Sequence, residues 1–114
     1  MGDKGEPHIW LRDQDGASKV QVALTPKGRP AFKLADQKGR DRAFLGLSEG
    51  GDPTMIFRDE AGRDRIALWS DKREEGLALA DKEGRPIAAF SAAEGGRGRV
   101  SFFESNGTAY KVIQ

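Results

Sequence analysis

The sequence predicts an all-β protein, an antiparallel meander of five β-hairpin repeats of about 23 residues with up to ten strands. Three observations lead to this prediction. An acid-to-glycine string recurs at a nearly constant interval, apolar residues alternate with polar ones on both sides of it, and the segments between repeats are too short for a helical crossover. The composition agrees, because 15 glycines and 32% charged residues suit many short strands joined by turns.

The repeat is defined by the string D-x-x-G. It occurs at Asp13–Gly16, Asp36–Gly39, Asp59–Gly62 and Asp81–Gly84, with Glu104–Gly107 as a fifth copy, so that successive glycines lie 23, 23, 22 and 23 residues apart. Units that begin six residues before the acid cover residues 7–29, 30–52, 53–74, 75–97 and 98–114. We therefore expect a single repeat domain over residues 7–114, preceded by a flexible segment at residues 1–6.

Each unit contains two stretches in which every second residue is apolar, as in a β-strand with one buried face. The third and fifth positions are apolar in every unit: Ile9, Leu11, Phe32, Leu34, Met55, Phe57, Leu77, Leu79, Val100 and Phe102. The sixteenth position is also apolar throughout, and the fourteenth is apolar in all units but the last, where Lys111 stands. The two strands of a unit are therefore expected to share one apolar face.

The acid and the glycine predict the hairpin turn between these strands. An aspartate side chain accepts hydrogen bonds from backbone groups two residues further on, and glycine adopts the positive φ that closes such a loop. A three-residue loop closing at the glycine sets the thirteenth position, Lys19 in the first unit, opposite Leu11. A loop one residue longer sets Val20 there, and we favour it because a one-residue slip moves the apolar set to the other face. The shorter loop is the alternative if both faces are partly buried.

An apolar face of this size needs a cover. Burying one large apolar side chain is worth ~1.5–3 kcal/mol, and monomers rarely expose apolar patches beyond a few hundred Å². The sheet is therefore expected to be closed, rolled over itself or covered in an oligomer, and the sequence does not choose among these. Since both ends of an open meander also expose an edge strand, we expect a homo-oligomer.

The opposite face mixes aromatic and basic residues and is a candidate binding face. Its members are Trp10, Arg12, Arg42, Phe44, Arg58, Arg65 and Trp69. Such a surface suits a polymer ligand, for example a glycan, a peptide or a nucleic acid. The alternative is structural. The aliphatic stems of the charged side chains cover scattered apolar residues, and the arginines pair across strands with Asp41, with Asp64 and with the acids of the D-x-x-G turns.

The sequence indicates no reaction chemistry. There are 19 Lys and Arg against 18 Asp and Glu, and a net charge of +1 creates no field that attracts nucleic acid or an anionic membrane. No run approaches the ~20 apolar residues of a membrane span. The chain has no cysteine, and His8 is its only histidine. We predict no catalytic residue and no cofactor, because no acid or nucleophile stands at a catalytic spacing from His8. We also predict no metal site, because the turns offer too few oxygens for calcium.

The repeats, clearest over Pro30–Leu47 and Pro53–Leu68, resemble the L-x-L-x-D-x-x-G-x-x-R β-hairpin repeats of uncharacterised bacterial proteins. The resemblance covers nearly the whole chain from Pro7 and is weakest in the fifth unit, which has Glu104 for the acid and Tyr110 for the arginine. Such arrays often follow a membrane anchor or a coiled coil. The resemblance therefore implies a bacterial protein with an extracytoplasmic location and an oligomeric, for example trimeric, array, but no activity.

Two other repeat families share single features with this chain. The 23-residue period is similar to that of MORN repeats, and the string D-x-x-G-R is similar to that of the YD repeats of toxin shells. Both depend on aromatic signatures, whereas Tyr110 is the only tyrosine here. The function expected from all these features is a non-enzymatic structural or self-assembly module, and the alternative is a polymer-binding module that uses the mixed aromatic and basic face.

Overall fold

The structure, a computed structural model, describes residues 7–93 and 96–113. These residues form one ten-stranded antiparallel sheet in which the strands lie in the order of the chain. The strands are β1 (His8–Arg12), β2 (Ser18–Leu24), β3 (Pro30–Ala35), β4 (Asp41–Leu47), β5 (Pro53–Arg58), β6 (Asp64–Ser70), β7 (Glu74–Ala80), β8 (Pro86–Ala93), β9 (Gly98–Phe103) and β10 (Ala109–Ile113). The predicted all-β meander is confirmed, and the sheet is not closed. The predicted flexible segment, residues 1–6, lies outside the described residues.

The D-x-x-G turns are three-residue loops. In the first unit the Gly16 N–H donates to the Asp13 carbonyl at 3.0 Å, and the Asp13 N–H donates to the Ala17 carbonyl at 3.0 Å. The Asp13 Oδ1 atom accepts from the backbone N–H groups of Asp15 and Ala17, and Gly16 has a φ of 83°. The predicted roles of the acid and the glycine in the turn are therefore confirmed.

A β-bulge follows each of these turns and reconciles the short loop with the apolar pattern. In the first hairpin Arg12 pairs with Ser18 and Leu11 pairs with Val20, so that Lys19 is an extra residue in β2. The same shift occurs in the other four hairpins. The favoured register, with Val20 opposite Leu11, is confirmed. The longer loop that we invoked for it is wrong, because the bulge supplies the additional residue.

The loops between units explain why one glycine interval is a residue shorter than the others. Three residues separate the hydrogen-bonded pair Thr25 and Arg29, and three also separate Ser48 and Asp52. The third loop is closed by the Asp71 N–H, which donates to the Glu74 carbonyl at 2.9 Å across only two residues. The shorter period of the third unit is therefore taken up in its outgoing loop, and the strand register continues unchanged into β7.

Two cross-strand ladders of paired residues run across all ten strands on one face. The first ladder consists of Ile9, Val22, Phe32, Leu45, Met55, Leu68, Leu77, Phe90, Val100 and Ile113. The second consists of Leu11, Val20, Leu34, Ala43, Phe57, Ile66, Leu79, Ala88, Phe102 and Lys111. We call these two ladders together the apolar strip, and the opposite side of the sheet the mixed face.

The ten strands form a single layer, and the part of the chain that the structure describes has no core between two layers. Its radius of gyration is 16.8 Å, whereas a compact chain of this length has about 13 Å. Within the described residues each strand contacts only its neighbours in sequence, and the only buried hydrophobic residue is Ala31. The principal extents are 48 × 29 × 18 Å, and nothing in residues 7–93 and 96–113 covers the apolar strip.

Candidate functional site

The apolar strip is an extended apolar surface that stays exposed in the single chain. Ten large apolar side chains of the strip keep between 38% and 64% of their surface exposed: Ile9, Leu11, Val22, Phe32, Leu34, Leu45, Phe57, Leu68, Phe90 and Ile113. Lys111, on the last strand, is the only charged residue among the twenty positions of the strip. Monomeric proteins rarely expose a continuous apolar surface of this size.

The accessible surface of the chain is larger than that of a compact monomer of the same mass. It amounts to 8064 Å², which is about 1,900 Å² more than the ~6,100 Å² of a compact monomer of 12.4 kDa. A standard protein–protein interface removes about 800 Å² from each partner. The surplus therefore exceeds what one stable interface requires.

The mixed face, in contrast, is stabilised within the chain by cations at the bulge positions. Each of these side chains reaches a backbone carbonyl of the next unit: Lys19 Nζ lies 3.1 Å from the Asp36 oxygen, Arg42 Nε 2.7 Å from that of Arg58, and Arg65 Nε 2.8 Å from that of Ala80. Each also pairs with the acid of its own turn, at 3.4 to 3.6 Å. The bulge directs these cations onto the mixed face, where they join the first four units.

The fourth and fifth units lack this contact, because the bulge positions hold Ile87 and Tyr110. Each of the first three units has a cation there, and each reaches into the unit that follows it. The junction between the fourth and fifth units is therefore held by the strand ladder of β8 and β9 alone, as far as the described side chains go.

The turn acids are held in their charged form. Burial raises the pKa of Asp36, but the backbone N–H of Arg40, its guanidinium at 2.9 Å and the Lys38 N–H outweigh this and lower it to about 2. In the same way the backbone N–H of Arg63 lowers the pKa of Asp59, and that of Arg85 lowers the pKa of Asp81. These carboxylates are engaged in turn formation, and within the described residues no group of three His, Cys, Asp or Glu side chains is placed to hold a metal ion.

Two aromatic side chains of the mixed face lie over glycines, an arrangement that the sequence did not predict. A Cβ atom on Gly46 would lie 2.5 Å from the Phe44 ring, and one on Gly76 would lie 2.3 Å from the Trp69 ring. Trp69 Nε1 also donates to the Glu74 carboxylate at 3.3 Å. A glycine inside a strand is a signal for close approach, but its pairing with Trp69 becomes visible only once the register across β6 and β7 is known.

The seven residues of the candidate binding face lie on the mixed face but form separate groups. Trp10 is stacked against His8, with ring centroids 4.1 Å apart, and the Arg12 guanidinium lies 4.5 Å from the Trp10 ring. Trp69 stands on β6, five strand spacings or ~24 Å from β1. Trp10 and Trp69 are therefore not brought together into one aromatic platform.

The arginines of this set are engaged with neighbouring groups. Arg58 Nε donates to Asp64 at 2.8 Å, and its carbonyl accepts from Arg42, while Arg65 pairs with Asp59 at 3.6 Å. These contacts are the cross-strand and turn-acid pairs of the structural interpretation. A polymer ligand would have to displace them, whereas the apolar strip is open.

The fold and its two unlike faces define the class of protein, an open β-hairpin repeat sheet with one apolar side. No family model matches the sequence, and no curated protein matches it either. In the described part of the chain, no helix has the length and apolarity that a membrane crossing requires.

Proposed function

We propose that this protein is a non-enzymatic structural module that assembles with copies of itself by covering the apolar strip. One observation carries the proposal: two apolar ladders, broken only by Lys111 on β10, cross the sheet, and ten of their large side chains keep 38% to 64% of their surface exposed in the single chain. At ~25 cal/mol per Å² of apolar surface removed from water, covering such a strip is the largest stabilisation available to the molecule. The proposal keeps the homo-oligomer and the bacterial repeat family inferred from the sequence.

A copy of the same chain is a suitable cover because the two strips would have the same length, spacing and composition. The mixed faces would then point outwards, where the ion pairs of Arg58 with Asp64 and of Arg63 with Asp59 stay hydrated. Closed symmetric association also satisfies every copy in the assembly at once. A trimer around a common axis satisfies the same condition, and the oligomer number is a result of the experiment below.

Sedimentation velocity of the purified chain tests the proposal. We expect an oligomer at micromolar concentration that dissociates on dilution, and a strict monomer up to millimolar concentration would overturn the proposal. Phe57→Glu places a charge in the middle of the strip and is expected to abolish the oligomer. Ile56→Glu is the matched control, because Ile56 precedes it on β5 and faces the other side of the sheet.

Self-association can still be tested if the Phe57→Glu variant does not fold. Circular dichroism of each variant shows whether the sheet persists, and the wild-type dilution series needs no substitution at all.

Polymer binding on the mixed face is the second hypothesis from the sequence. Among the described residues no contact favours it over assembly, since Trp10, Arg42, Phe44, Arg58, Arg65 and Trp69 all have partners within the chain.

A further inference from the structure

The shape of the apolar strip restricts how copies can pack on it. The ladders cross nine strand spacings, or ~43 Å, and lie two residues apart along the strands, so that with their side chains the strip is ~15 Å wide. The strip is thus about three times longer than it is wide. Its long direction is the direction in which the sheet grows from β1 to β10.

The overlap of two such strips depends strongly on their orientation. Two strips that lie lengthwise on each other overlap over about 650 Å². Two strips that cross at a right angle overlap over only ~225 Å², and both ends of each strip stay exposed to water. Of the two arrangements, only the lengthwise overlap approaches the ~800 Å² that a standard interface removes from each partner. A right-angle crossing falls well short of a standard interface.

Two open grooves on the strip run in this same long direction. The larger has a volume of about 600 Å³ and is lined by one first-ladder residue from each of five successive strands, namely Leu68, Leu77, Phe90, Val100 and Ile113. The smaller, of about 370 Å³, follows the first ladder over Val22, Phe32 and Leu45 and reaches past the strip to Leu47 and Pro53. A row of partner side chains that fills either groove must lie across the strands, parallel to the strip.

The one charge of the strip also fits this orientation. Lys111 lies at a corner, on the last strand and in the ladder nearer the D-x-x-G turns, where a lengthwise cover leaves its ammonium at the rim in water. The same lysine opposes extension of the sheet at its β10 edge, because a charge on the apolar side of an edge strand disfavours further pairing. Edge-to-edge growth would moreover leave the strip uncovered.

From these observations we infer that copies of this chain pack apolar strip on apolar strip with the strips lengthwise, so that the contact extends from β1 to β10. The inference rests on the proposed self-assembly and names its partner, a second copy, and its geometry. The lengthwise packing applies to a dimer of two stacked sheets and also to a trimer of three sheets around a common axis. In both assemblies the strips run parallel to each other along their full length.

Three phenylalanines on the strip provide a matched test. Phe57 on β5 lies near the centre, whereas Phe32 on β3 and Phe90 on β8 belong to the same ladder and each lie 2.5 strand spacings, or ~12 Å, from the centre. In the single chain they are 41%, 38% and 50% exposed. A crossed contact reaches only ~7 Å from the centre and would miss both outer rings.

The experiment measures the dissociation constant of the oligomer by dilution for Phe32→Ala, Phe57→Ala and Phe90→Ala. A lengthwise contact is expected to raise it about tenfold or more for each of the three variants. Phe44→Ala, on the mixed face, is the control and should leave it within about twofold. An effect of Phe57→Ala alone would overturn the lengthwise geometry while leaving self-assembly intact, and a monomeric wild type would overturn both.

A second measurement does not depend on truncated variants folding. The wild-type chain labelled with fluorophenylalanine contains six reporters, and the solvent isotope shift of each ¹⁹F signal reports its exposure before and after dilution. The signals of Phe32, Phe57 and Phe90 are expected to become protected together on assembly, while that of Phe44 stays unchanged. Protection of Phe57 without the two outer rings would again contradict the lengthwise contact.

Discussion

The two faces of the sheet differ in whether the chain completes them by itself. On the mixed face lie the three buried residues of the described chain, Ala31, Gly46 and Ser101, together with rings over glycines and guanidinium groups that reach carbonyls. On the apolar strip the large side chains have, within the described part of the chain, neighbours only in their own layer. A single layer satisfies polar groups locally, because hydrogen bonds are short, but it cannot bury apolar area without a second layer.

The largest expected difference between the faces appears when stability is measured at two protein concentrations. Leu45 on the strip and Phe44 on the mixed face are adjacent in β4. Leu45→Ala is expected to cost about 2–3 kcal/mol where the chain is assembled and under ~1 kcal/mol where it is dilute and monomeric. Phe44→Ala should cost the same at both concentrations, because its contact with Gly46 lies within the chain.

Urea unfolding at about 1 μM and 100 μM measures both costs in one series. An equal effect of Leu45→Ala at the two concentrations would show that the apolar strip is not covered on assembly, and the expected difference between the faces then fails. It also fails if the effect of Phe44→Ala grows with concentration, since the mixed face would then belong to the interface.

Much of the fold was predictable because apolar alternation and turn chemistry are local properties of the sequence. The pairing of Leu11 with Val20 follows from the requirement that apolar residues share a face. The bulge at Lys19 was not predicted, because a lysine in a run of strand residues carries no mark of being unpaired. Its function depends on Asp36, which belongs to the next unit and lies within reach only after the strands have paired.

The candidate site was predictable to a smaller extent, for the same reason. The sequence identifies an apolar face that needs a cover and a mixed face with Trp10, Arg58 and Trp69. It does not show that Trp69 lies over Gly76, because the two residues are brought together by β6–β7 pairing. Local pattern therefore determines the strands and their faces, whereas contacts between units determine which side chains remain available.

A smaller effect is expected from filling the space under the Trp69 ring. Gly76→Ala places a Cβ atom where the ring now lies, and we expect it to cost about 1–2 kcal/mol because the ring must move off the sheet. Gly98→Ala is the matched control, since a Cβ atom there has its nearest neighbour, the Ser91 oxygen, at 4.0 Å. Removing the glycine there should be neutral or stabilising by up to about 1 kcal/mol.

Thermal unfolding of both variants, with the tryptophan fluorescence spectrum as a second signal, checks this prediction. In the background of Trp69→Ala the cost of Gly76→Ala should largely disappear. An undiminished cost in that background would show that the ring is not what occupies the space. A cost that disappears together with the ring would show that this part of the mixed face is packed by the chain alone.

The smallest effect is expected where a contact of the mixed face is missing. Ile87 stands at the bulge position where the first three units have Lys19, Arg42 and Arg65. Ile87→Arg is expected to stabilise the chain by about 0.5–1 kcal/mol, because the guanidinium would reach the Phe103 carbonyl in the fifth unit and pair with Asp81 in its own turn. The uncharged Ile87→Gln provides a control of similar length, and amide hydrogen exchange in β9 and β10 locates the gain. If Ile87→Arg protects these strands no better than Ile87→Gln, the contacts made by Arg42 and Arg65 are consequences of the register and do not hold the units together.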